Sequence, residues 1–235
     1  QYRGVPLADD FELDLDAMLQ AIEETQAALV FLAQPNNPTG NLFDLEAVKK
    51  VCAATPGLVV LDEAYIEYVD TATDALDGLD YLPQYPNLIV TRTFSKAYGL
   101  AALRVGYSVS HPQIANLLNR VRQPFNVDSF ALAGACAALN DAEYLQRSRL
   151  VNRQGMAQFV EAFERLGLDF IPSAGNFITV HFAVDGAEIY QKLLREGVIV
   201  RPLVNYGMPH SLRISIGLPQ ENQRCIEALQ RVLEQ

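Results

Sequence analysis

The sequence predicts an α/β protein: a mostly parallel sheet flanked by helices, followed by a smaller α+β C-terminal domain. Three observations carry this prediction. Short continuous apolar runs, such as Ala28-Leu-Val-Phe-Leu-Ala33 and Leu58-Val-Val-Leu61, suit strands buried on both faces. Stretches with helical spacing of apolar residues separate those runs. From about Asp141 the texture changes to a long polar, helix-favouring stretch reaching Leu166, and shorter strands and helices follow it. The expected division is therefore a large domain over 1–140 and a connecting helix with a small domain over 141–235.

The elements follow in order. Leu15 to Ala27 places Leu15, Met18, Leu19 and Ile22 on one helical face, with Asp14 as N-cap. The strand Ala28–Ala33 runs into Gln34-Pro-Asn-Asn-Pro-Thr-Gly40, a dense cluster of turn formers. A helix over Leu45–Ala54 leads to the strand Leu58–Leu61, and Asn87–Thr91 and Val105–Val109 are further strands. Continuous apolar strands alternating with helices predict a sheet covered on both faces. In the C-terminal part, strands are expected over 176–180, 198–200 and 211–216, with helices at Ala187–Glu196 and Gln220–Leu233. No internal repeat or low-complexity segment interrupts this order.

Composition narrows the function classes. With 235 residues, half of them hydrophobic, the chain can bury a sizeable core. No apolar run is long enough to cross a bilayer. The start, Gln1-Tyr-Arg-Gly4, lacks the basic and apolar regions of a signal peptide and reads as a fragment's beginning. Lys and Arg number 18 against 28 Asp and Glu, a net charge of −10, which argues against nucleic acid and anionic membrane as partners. Cys52, Cys136 and Cys225, widely spaced among apolar neighbours, read as reduced core thiols. His111, His181 and His210 form no metal-binding spacing, and no metal is expected.

The chemistry-bearing residues cluster just after strands, where ligands bind in open α/β sheets. In Thr93-Phe-Ser-Lys96 a lysine follows two hydroxyls, and Arg104 lies eight residues on. That set suits a carbonyl-bearing, phosphorylated cofactor. The amine can form an imine, while the hydroxyls and guanidinium can hold a phosphate dianion. Asn37 precedes Pro38-Thr-Gly40, and Asp62 opens Asp62-Glu-Ala-Tyr65. Each has a plainer reading: a helix start at Asn37, a capping Asp62, a core aromatic at Tyr65, a solvated lysine at 96. Jointly the plain readings require three coincidences at successive strand ends. An aspartate beneath a pyridine nitrogen keeps it protonated, and an asparagine amide and a tyrosine hydroxyl can bond a phenolate oxygen.

These residues, with Arg122-Gln-Pro-Phe-Asn126 and Ser211-Leu-Arg-Ile-Ser-Ile-Gly217, resemble the fold-type I pyridoxal-phosphate aminotransferases of the aspartate aminotransferase superfamily. Within that family the last two segments lean toward the histidinol-phosphate subgroup. The resemblance implies pyridoxal 5'-phosphate as cofactor, with Lys96 as its Schiff-base lysine and Asp62 on the pyridine nitrogen. It places Asn37 and Tyr65 on the ring oxygen and Thr93, Ser95 and Arg104 on the phosphate. Arg213, with Arg201 and Asn176, would take the substrate, although a surface arginine and a structural turn remain open readings for the last two. The implied reaction interconverts histidinol phosphate and 2-oxoglutarate with imidazole-acetol phosphate and glutamate. The implied setting is a cytoplasmic homodimer in histidine biosynthesis.

Aromatic aminotransferases and threonine-phosphate decarboxylases share many of these residues, and a non-catalytic cofactor-binding regulatory module is the reading from another class. The family pattern begins before Gln1, with an arm and a phosphate-cradling strand–helix segment. A polypeptide of residues 1–235 alone is accordingly expected to bind the cofactor weakly and to be inactive.

Overall fold

The computed structural model describes residues 2–9, 11–69 and 77–234. It resolves into two compact units, Gln1–Asn36 with Asn41–Leu145, and Asn37–Gly40 with Gln146–Gln235.

The first unit begins with α1 (Leu15–Thr25), capped by Asp14, whose carboxylate accepts Ala17 N at 2.9 Å. β1 (Leu29–Ala33), α2 (Leu45–Ala54, capped by Asp44) and β2 (Leu58–Asp62) follow, then β3 (Leu88–Thr93) and β4 (Gly106–Ser110). The four strands form one sheet in the order β1-β2-β3-β4. The first two pairings are parallel and the third antiparallel, with Ala33, Asp62 and Thr91 in one row. That register aligns the carboxyl ends of the parallel strands, where the chemistry-bearing residues start.

The two faces of this sheet differ. Val30, Leu32, Val59, Leu61, Leu88 and Val90 point one way into a core shared with Ile22 of α1 and Val48 and Val51 of α2. Each such burial is worth about 1.5–3 kcal/mol relative to exposure. On the other face Leu29 is 51% and Phe31 69% exposed. The expectation of cover on both faces is thus corrected for β1, whose burial alternates. The apolar run alone could not distinguish the two cases, because cover depends on what packs against the strand.

Two helices unmarked in the sequence complete the unit. α3 (Pro112–Val121) starts at a proline behind His111, whose Nδ1 accepts Gln113 N at 3.3 Å. α4 (Ser129–Leu139) is apolar nearly all round, so it has no periodicity to detect, and its Asp128 cap accepts Ala131 N at 2.8 Å.

α5 (Ala142–Leu166) continues into the second unit, whose further elements are β5 (Phe170–Ile171), β6 (Phe177–His181), α6 (Gly186–Arg195), β7 (Arg201–Leu203), β8 (Met208–Ser215) and α7 (Pro219–Leu233). The strands form an antiparallel sheet in the order β5-β6-β8-β7. Ile178, Val180, Leu212 and Ile214 bury one face against Phe159, Phe163, Leu193 and Leu229 of the helices. The expected strand over 198–200 is a correction. Gly197 ends α6 at φ +75°, Val198 N bonds back to Leu193 O at 2.9 Å, and the strand begins only at Arg201. β5, two residues long, gave no readable run.

Residues 37–40 are built into this second unit. The buried Thr179 hydroxyl donates to Pro38 O at 2.6 Å, and Ala174 N donates to Gly40 O at 2.8 Å.

Of the three thiols, Cys52 and Cys225 are buried, but Cys136 is exposed on α4, which corrects its placement in a core. Burial pushes the Cys52 and Cys225 thiols up to about 11. At pH 8 the reactive thiolate is therefore on the order of one part in 10³ at each. Timed reaction with a thiol reagent should leave both unmodified in native protein and modify them at once after unfolding.

Candidate active site

In the first unit the site is built on the loop that leaves β3. Thr93 Oγ1 accepts Ser95 N at 3.1 Å, and Gly99 N and Leu100 N close back on Lys96 O and Phe94 O, each at 2.9 Å. Gly99 takes φ +70°, and a Cβ there would overlap the Tyr144 hydroxyl, so both conformation and space call for glycine. This tight loop presents Lys96 half-buried, its Nζ 5.1 Å from the centroid of the buried Tyr65 ring.

The other side chains of this unit are held by local bonds. Asp62, the last residue of β2, is exposed, and its Oδ1 accepts Ala64 N at 3.1 Å, holding the turn into Tyr65. Arg104 sits at φ +51°, a conformation costly to any residue with a Cβ, and its Nη1 donates to Ala101 O at 2.8 Å and Ser95 Oγ at 3.2 Å. The rest of its guanidinium is exposed and makes no further hydrogen bond among the described residues. Hydroxyls and a guanidinium for a dianion, an amine for a carbonyl and a carboxylate for a ring nitrogen all lie on one unit. This donor set fits a phosphorylated aldehyde carrying a basic ring nitrogen.

The second unit gathers the remaining predicted residues. Thr179, Arg213 and Arg201 lie in one row across β6, β8 and β7, so their side chains share a face. Arg213 Nη1 donates to Asn37 Oδ1 in a short bond, and its guanidinium carbon lies 5.0 Å from the Phe177 ring centroid. Its Nε is buried without a hydrogen-bond partner. Arg201 is exposed directly opposite, and like charges facing each other across a sheet are destabilising. Asn176 is half-buried beside Phe177, and its carbonyl accepts Ile216 N at 2.9 Å. Further along the face His181 Nδ1 lies 2.7 Å from Ser211 Oγ. Burial lowers the His181 pKa, opposed by Asp169, which favours the neutral ring.

Comparison with known proteins places these residues in context. The family described as aminotransferase class I and II matches residues 2–229. The chain belongs to the class I and II aminotransferases. Histidinol-phosphate aminotransferase 2 of Pseudomonas aeruginosa is 60% identical over 222 residues, which cover 94% of this chain and 60% of that protein. The solved histidinol-phosphate aminotransferase of Sinorhizobium meliloti, in complex with pyridoxal-5'-phosphate, superposes with a TM-score of 0.90 at 35% identity. That match covers all of this chain and 65% of the other. L-threonine-O-3-phosphate decarboxylase of Porphyromonas gingivalis superposes at 0.77 with 25% identity, covering 88% and 65%. The chain spans about three fifths of the length of the curated relatives it matches.

As an aminotransferase-family chain it holds two further residues beside the predicted set. Glu63 and Arg92 form a buried ion pair directly behind Asp62 and Thr93. The signal was present in Asp62-Glu63 and Arg92-Thr93, adjacent residues of opposite facing, but only the register pairs them. Among the described residues no cluster of His, Cys, Asp or Glu suits a metal ion, and no helix is long and apolar enough to cross a membrane.

Proposed function

We propose that the protein is a pyridoxal-phosphate-dependent aminotransferase that interconverts histidinol phosphate and 2-oxoglutarate with imidazole-acetol phosphate and glutamate. It acts in the cytoplasm, in histidine biosynthesis, as a homodimer. The observation that carries the substrate reading is the Arg213 guanidinium, with a buried, unpartnered Nε and Arg201 opposite. Two cations brought together on one face are relieved by an anion, and both amino donors carry one: a phosphate in histidinol phosphate, carboxylates in glutamate. A planar fork accepts either. The relatives named for this activity support the same reading.

When bound, the cofactor supplies an aldehyde for an amine and a protonated ring that holds electrons. Lys96 would hold it through Nζ, and the same amine is the group that would move the proton at the substrate Cα. Asp62 would keep the proton on the ring nitrogen. Tyr65 and the amide of Asn37 would bond the ring oxygen, and Thr93, Ser95 and Arg104 would take the phosphate. Within the second unit Asn37 Oδ1 accepts from Arg213 Nη1 and so orients that guanidinium. Asn176 lines the substrate.

The test is substrate choice in the intact, cofactor-loaded protein. Histidinol phosphate should bleach the absorbance near 420 nm (about the usual position for a lysine-bound cofactor). It should also outrun phenylalanine and threonine phosphate by roughly tenfold or more in kcat/KM. Release of carbon dioxide from threonine phosphate without consumption of 2-oxoglutarate would make the protein a decarboxylase instead.

A further inference from the structure

We infer that Glu63 and Arg92 are positioning residues for the cofactor lysine and aspartate, acting from the opposite face of the sheet. This rests on the aminotransferase reading above. Successive strand residues face opposite ways, so Asp62 and Glu63, and likewise Thr93 and Arg92, diverge from shared strand ends. Glu63 is fully buried and the Arg92 side chain only 12% exposed. Arg92 Nε and Nη2 donate to Glu63 Oε2 at 2.9 and 2.7 Å, and Nη2 also donates to Asp77 Oδ1 at 2.6 Å. Glu63 Oε1 accepts Gly78 N at 2.6 Å. A Cβ on Gly78 would lie 2.7 Å from that oxygen, so the backbone approach requires glycine.

One ionic cluster therefore ties the end of β2, the end of β3 and the turn beginning at Gly78. Glu63 N also donates to Thr91 O at 2.9 Å, extending the strand pairing one residue past Asp62. Stability gives little reason for such a pair. Well-packed apolar residues of similar volume often do as well or better, and burial raises the Glu63 pKa against the pull of Arg92. What the two-pronged bond supplies is direction. It fixes the spacing and twist of the strand ends from which Asp62 and Thr93–Lys96 project. A displacement of about 1 Å in such groups costs on the order of 100-fold in rate.

The experiment compares the intact, cofactor-loaded protein with Glu63→Gln, which keeps the shape and the Gly78 bond, and Arg92→Lys, which keeps the charge without the fork. In both, at temperatures well below unfolding, kcat should fall roughly 10- to 100-fold while KM stays within about twofold. The absorbance band of the lysine-bound cofactor should shift its pH midpoint, and cofactor affinity should drop. Folded variants with parental kcat, band and pH midpoint overturn the proposal, whatever their melting temperature. Should both variants fail to fold, Asp77→Asn, at a half-exposed contact of Arg92, must show the same changes in smaller degree or the proposal is overturned. Parental protein without transamination removes the aminotransferase reading and this proposal together. Active parent with unchanged variants removes the positioning role alone.

Discussion

Lys96→Ala in the intact protein is expected to cut kcat to on the order of 10⁻²–10⁻⁴ of the parent, the range carried by a positioned proton-transfer group. In the proposed mechanism the side chain has two tasks, a covalent anchor and the carrier of the Cα proton, and alanine can perform neither. Its surroundings make the loss specific. The loop backbone closes on Lys96 O and Phe94 O, so the fold of the segment does not depend on the ammonium. Circular dichroism should therefore be unchanged. Borohydride reduction followed by peptide mass analysis should add the cofactor to the Lys96 peptide in the parent and to no peptide in the variant. A small primary amine in the buffer should restore part of the rate by replacing the missing base. A variant that still fixes cofactor covalently would rule out Lys96 as the anchor.

Arg213→Ala is expected to lower kcat/KM for histidinol phosphate and for glutamate by about 10²–10³-fold, as truncating a buried charged partner costs several kcal/mol. The change removes the proposed anion contact and also leaves Asn37 Oδ1 without the Arg213 donor. Arg213→Lys should recover little, because a lysine offers a point charge where the Phe177 ring and Asn37 hold a plane. Arg201→Ala, at an exposed position, should cost about tenfold or less and depend on salt. Steady-state kinetics with both amino donors decides the matter. Equal loss for both supports one shared anion site, and loss confined to one would divide the arginines between substrates.

Much of the architecture was legible. Strand cores such as Val59 and Leu61 and helix caps such as Asp14 are local chemistry, and local chemistry is written in consecutive residues. The α4 helix escaped because a nearly uniform apolar helix carries no period, and the run at 198–200 misled because a β-branched stretch reads as strand even when it unwinds from a helix. The exposed face of β1 could not be inferred, since Leu29 and Phe31 look identical to buried residues until their neighbours are known. At the site, identities were legible and relations were not. Nothing in sequence joins Glu63 to Arg92, 29 positions apart, or Asn37 to Arg213, 176 apart.

The assignment of Asn37–Gly40 to the second unit has a consequence for how the protein is made. The threonine hydroxyl that the Pro38 carbonyl accepts leaves the ribosome 141 residues after Pro38 itself. At ordinary translation rates that is a wait on the order of ten seconds. Through that interval the first unit must hold a four-residue excursion whose native neighbours do not yet exist. The second unit, for its part, cannot be completed from its own contiguous stretch. Its β6 strand reaches its native bonding only by recapturing a piece of chain made 141 residues earlier.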